Sequence, residues 1–180
     1  MGARGRKLAY AAAGALLVSL HVFWAARWAG GQRASAPWDP AVHLDTAADY
    51  RDALKAGSLG GLLLTKTKPG HPPYPPLYHL SLIPLLGTER PDAAVAVLNL
   101  LWLALLGGGA AWVALRAGGG GAGALAAGAA VTLSPSLVRL HREAFPDPAM
   151  AGLVAAAYAV GLASEGFSKR RWAWAAGALA

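Results

Sequence analysis

The segment from Val95 to Leu115 contains no charged residue. A helix of about 20 apolar residues crosses the roughly 30 Å of bilayer hydrocarbon. A helix apolar on every side needs a large protein core or a membrane around it. This one feature places the chain with membrane proteins, and composition agrees. Of the 180 residues, 56% are hydrophobic and 14% charged, and there is no cysteine. A soluble domain carries about 25% charged residues. These values exclude a disordered tail, a disulfide-stapled module and a cysteine-ligated zinc protein. The net charge of +7 comes from basic residues scattered among apolar runs. They form no stripe with interleaved aromatics, so nucleic acid is not an expected partner.

Three further stretches have spanning character. Leu8 to Trp28 follows Arg4, Arg6 and Lys7, and its basic interruptions are His21 and Arg27. Its length and its closing Trp24, Arg27 and Trp28 point to an uncleaved helix with an interfacial anchor rather than a signal peptide. The stretch 122–140 is rich in Ala and Gly, which suits close helix packing, and Pro135 is expected to kink it. The stretch 148–163 places Pro148 in its first turn. A fifth apolar run, 172–180, begins at Trp172, so the chain reads as the N-terminal portion of something longer. The expected fold is all-α: a polytopic bundle of about four spans and the start of a fifth, with interfacial helices in the first outer loop.

Charge sets the expected orientation. Arg4, Arg6, Lys7, Arg116, Lys169, Arg170 and Arg171 fall on one side, which the positive-inside rule makes cytoplasmic. Asp39, Asp45, Asp49, Asp52, Glu89, Asp92, Glu143 and Asp147 fall on the other. The reading is a multi-pass protein of the cell membrane, N-terminus inside, with its carboxylates gathered outside among membrane lipids.

The outer loop 30–92 is too long for a plain connector. Asp39-Pro40 is expected to open a helix, with Asp39 as N-cap, that stops at Gly57. Asp45, Asp49 and Asp52 share one face of it, which reads as a solvated surface rather than a metal site. The proline run between His71 and His79 is expected to hold the chain extended. Leu80 to Leu86 is too short to span and reads as a second interfacial helix. Asp39 has two open readings, a helix cap or a reactive carboxylate. The glycine run 118–121 lacks the Lys-Ser/Thr of a phosphate loop and reads as a hairpin.

A basic N-terminus, one span, Trp38-Asp39-Pro40-Ala41-Val42-His43 and then Pro75-Pro76-Leu77-Tyr78 together resemble the start of the GT-C glycosyltransferases. These are the protein O-mannosyltransferase and lipid A aminoarabinose transferase type of enzyme. In that family the loop opens on Asp-Glu followed closely by Tyr; here Pro40 and His43 stand at those places. Arg142-Glu143-Ala144-Phe145-Pro146-Asp147 resembles the family's second outer loop. The resemblance implies transfer of a sugar from a polyprenyl-phosphate carrier to a lipid, glycan or protein acceptor at the outer face. It implies Asp39 as general base, with Asp147 and Glu143 beside it. His43, Lys66, Lys68, His71, Tyr78 and Arg142 become candidate substrate contacts, the cations for the departing phosphate. No metal ligand set is recognisable and no cofactor is expected; dependence on a divalent metal stays open. A transporter or flippase subunit and a non-enzymatic membrane scaffold are the rival classes.

Overall fold

A computed structural model describes residues 3–31, 38–58, 76–165 and 167–179. Every regular element among them is helical. In chain order these are α1 (Ala3–Gly31), α2 (Trp38–Lys55), α3 (Pro76–Leu82), a 3-10 turn (Ile83–Gly87), α4 (Pro91–Arg116), α5 (Gly120–Thr132), α6 (Pro135–Leu140), α7 (Asp147–Ala163) and α8 (Arg170–Leu179).

Two helices are long and apolar enough to cross a membrane, Gly5–Gly31 within α1 and Pro91–Arg116. The other expected spans are shorter. The stretch 122–140 is divided: α5 ends at Thr132 and Pro135 opens α6. Proline has no N–H to donate and its ring collides with the carbonyl four residues back, so the break falls just before it. At 1.5 Å per residue, the 13 residues of α5 cover about 20 Å and the 17 of α7 about 25 Å. The run expected from Trp172 begins as α8 at Arg170, a 10-residue helix packed on α7.

The outer-loop expectations fare well where they can be compared. Helix α2 ends before Gly57, whose φ is +65°. The Gly57 N–H donates to Leu54 and the Ser58 N–H to Ala53 at 2.9 Å, the pattern that closes a helix on a left-handed glycine. Asp45, Asp49 and Asp52 are all exposed, as a solvated row should be. Asp39 is a correction: α2 already includes Trp38, so Asp39 lies in the first turn and not before it. The extended proline run is also shorter than expected, because Pro76 opens α3, a position where its missing N–H costs nothing.

Helix α4 is the centre of the bundle, with α7, α5 and α1 packed around it. The contacts depend on glycine. A Cβ on Gly109 would sit 2.7 Å from the Ala155 backbone, and one on Gly152 would sit 2.6 Å from the Trp102 carbonyl oxygen. Backbone cannot yield as a flexible side chain does, so α4 and α7 would have to separate. Gly109→Ala or Gly152→Ala is expected to cost about 1–3 kcal/mol through overpacking, read as a lower Tm in detergent. Gly161→Ala, where a Cβ meets nothing within 4 Å, is expected to leave Tm unchanged or raise it, since alanine is the better helix former.

Large side chains remain on the outside of these helices. Leu16 is 72% exposed, Tyr158 69% and Val97 58%. The buried core lies at one end of α4, where Tyr78, Leu82, Val95, Ala144 and Ala149 meet α2 through Ala47. Segments 38–58, 76–90 and 141–147, all expected outside, therefore gather at the same end of the bundle.

Candidate functional site

At that end, α2 and α3 bring two histidines together. His43 Nδ1 lies 3.0 Å from His79 Nε2, and both rings are buried. One ring must donate and the other accept, so the pair holds at least one neutral imidazole. Aromatic rings enclose it. Tyr50 lies 5.9 Å from His79 between centroids; Tyr78 lies 6.4 Å and Phe145 6.2 Å from His43. Tyr50 and His43 come from the buried side of α2, opposite the row of exposed aspartates.

Asp39, one turn before His43, and Asp147, at the start of α7, both lie close enough to favour its charged form. Burial acts more strongly and holds the His43 imidazole below its ordinary value of 6.5. Both carboxylates are themselves exposed. The cluster thus has an accessible acidic surface over a desolvated, neutral histidine pair. Burial pushes the Tyr78 phenol far up, with Asp147 adding to the effect and Asn99 opposing it. Tyr78 is a neutral hydroxyl across the physiological range.

A pH dependence follows. Protonating His43 places hydrogens on both of its nitrogens, which removes an acceptor from the pair and charges a buried ring. Its folded-state pKa lies below its unfolded one, so its contribution to stability is complete above about pH 6.5 and is lost as pH falls through the folded value. Thermal unfolding in detergent at pH 7.5, 6.5 and 5.5 is expected to show a falling Tm. The fall should be smaller in His43→Gln, which keeps a hydrogen-bonding side chain that does not titrate.

The turn carrying Asp147 is held by a residue in the middle of the uncharged run. Asn99 Nδ2 donates to the carbonyl oxygens of His141 at 3.0 Å and Glu143 at 2.9 Å. Glu143 is thus fixed through its backbone and is half-buried. Arg142 faces the other way, toward α1, and lines a recess with Phe23, Trp24, Arg27, Trp28 and Gly31. Of the residues expected to bind substrate, His43 and Tyr78 are buried behind the acidic surface and Arg142 borders the recess. Lys66, Lys68 and His71 lie outside the described residues.

His79, Asn99 and His141 carry the local geometry, although motif reasoning did not single them out. The signal for Asn99 was available: a lone amide in an apolar span usually turns inward to a carbonyl. No group of three or more His, Cys, Asp or Glu is arranged to hold a metal ion among the described residues. Comparison with known protein families, curated proteins and solved structures finds no match for this chain.

Proposed function

We propose that this chain is the N-terminal part of a GT-C-like membrane glycosyltransferase. It would move a sugar from a polyprenyl-phosphate carrier to an acceptor hydroxyl at the outer face of the cell membrane. The observation that carries the reading is the convergence of Asp39 and Asp147 on His43. Two carboxylates from distant parts of the sequence share one accessible surface at the end of the bundle where the acidic segments gather. A transport path places its acids near the bilayer midplane, whereas these stand at helix ends. In this reading α5 with α6, and α7, are the third and fourth crossings, and α2 and α3 lie along the outer surface.

The reaction needs a base and a holder for the leaving phosphate. Asp39 takes the proton of the acceptor hydroxyl. The hydroxyl oxygen forms a bond to the anomeric carbon, and the bond from that carbon to the phosphate oxygen breaks. The phosphate leaves with the electron pair, and Arg142 supplies positive charge on its side of the 141–147 turn. Asp147 orients the acceptor. The neutral His43–His79 pair supports Asp39 from below without competing for the proton.

Orientation is tested directly. Single cysteines at Ser58 and Ser168, both exposed, are probed with an impermeant thiol reagent in intact cells. Labelling is expected at position 58 and not at 168. The reverse pattern would turn the acidic surface toward the cytoplasm and remove the proposed site of transfer.

A further inference from the structure

A furrow of about 540 Å³ runs along the bundle between α1, α4 and α5. Its walls are apolar, Leu17 and Leu103 among them, and Gly14, Gly107, Gly108 and Gly128 keep it open. Tyr10 and Gly121 close one end and His21 stands at the other. Beyond His21 lies the recess of Phe23, Trp24, Arg27, Trp28, Gly31 and Arg142, about 470 Å³ in volume. His21 joins the two. Its ring packs edge-on against Trp24 at 6.2 Å and against His141 at 6.1 Å.

The seam is unusual in what it leaves unpaired. His21 is 5% exposed, and neither of its ring nitrogens has a hydrogen-bond partner among the described residues. The same is true of His141 Nε2 and Arg142 Nε. Buried polar atoms of this kind normally have a partner. Arg27 and Arg142 have no carboxylate partner among the described residues. An apolar furrow therefore leads to a basic, aromatic mouth whose donors are unused.

We infer that the furrow and its mouth bind a polyprenyl monophosphate. The isoprenoid chain lies between α1, α4 and α5, and the phosphate sits by Arg27 and Arg142 with a nitrogen of His21 or His141 donating to it. Charge complementarity selects an anionic head group. Depth selects the chain. From Arg27 to Tyr10 is about 25 Å along α1 at 1.5 Å per residue, whereas one leaflet of hydrocarbon is about 15 Å thick. An acyl chain anchored at the mouth would end near the midplane, and a polyprenyl chain continues to Tyr10. The inference rests on the transferase reading for the identity of the carrier, and assigns the carrier a place in this chain.

The test uses the sugar-free carrier, so that binding is read apart from transfer. The protein in detergent is titrated with polyprenyl monophosphate, unphosphorylated polyprenol or phosphatidylglycerol, and bound lipid is counted by native mass spectrometry. The monophosphate is expected to bind at least tenfold more tightly than the other two. A Cβ at Gly14 or Gly108 meets nothing within 4 Å, so Gly14→Leu with Gly108→Leu fills the furrow without disturbing the backbone. That pair is expected to weaken binding at least tenfold at unchanged Tm, and Gly108→Leu alone to weaken it less. Arg27→Gln is expected to abolish the preference over polyprenol. Equal binding of phosphatidylglycerol, or undiminished binding in the folded furrow-filled variants, would overturn the inference. Carrier binding without any sugar transfer would remove the transferase reading and leave this site in place. Transfer with undiminished binding in the furrow-filled variants would do the opposite.

Discussion

Asn99→Leu is expected to destabilise the protein by about 2–4 kcal/mol, because it strands two carbonyl oxygens at once. Leucine matches asparagine closely in size, so the cost is not a cavity. It comes from the His141 and Glu143 carbonyls, each of which loses the donor that Asn99 Nδ2 provides. Partial relief comes from removing Asn99 Oδ1, itself buried without a hydrogen bond among the described residues. The remaining loss falls on the 141–147 turn, which separates Arg142 on the α1 side from Phe145 and Asp147 on the α2 side. Thermal unfolding in detergent should show a clear drop in Tm for Asn99→Leu. Leu101→Ala, two residues on and 55% exposed, should show almost none. Limited proteolysis should cut between positions 141 and 147 earlier in Asn99→Leu than in the parent. Equal Tm values for the two variants would mean that the turn holds itself.

The comparison of Asn99 with the spans shows what sequence makes legible here. Apolar length identified α1 and α4, because hydrocarbon thickness fixes how many residues a crossing needs. Gly57 and Pro135 marked helix boundaries, because their backbone preferences are local. The three exposed aspartates followed from helical periodicity alone. The histidine pair was not legible. His43 and His79 are 36 residues apart, and no periodicity relates α2 to α3 across the intervening loop. Asp39 and Asp147 were marked as candidates by resemblance to a family. That they act on the same imidazole depends on how α2 and α7 pack, which no local pattern encodes. The furrow was hidden for a related reason. Glycine in a membrane helix signals close packing, and it does so at Gly109 and Gly152, yet Gly14 and Gly108 face open space.

The largest expected effect is on turnover. Asp39→Asn is expected to reduce sugar transfer about 10²-fold or more, as loss of a general base does, while leaving binding of the sugar-free carrier within twofold. Asparagine keeps the size of aspartate and, at a helix start, serves nearly as well for the backbone. Asp39 lies in the first turn of α2, so a purely structural role there would be worth only about a few tenths of a kcal/mol and would leave turnover near normal. The substitution therefore separates a reactive carboxylate from one that merely sits well on a helix. Asp147→Asn should lose less, since that group orients the acceptor without taking its proton. Asp49→Asn should lose nothing measurable, being exposed on the far side of α2 from His43 and Tyr50. The ordering is the informative part, because all three substitutions remove one negative charge from the same outer surface. If surface charge alone mattered, the three variants would fall together. If Asp147→Asn fell furthest, the proton would go to the carboxylate on α7, and Asp39 would become the orienting group. Transfer from a polyprenyl-phosphate sugar, at matched expression and with carrier binding measured alongside, distinguishes these cases. Near-normal turnover in Asp39→Asn would take Asp39 out of the reaction altogether.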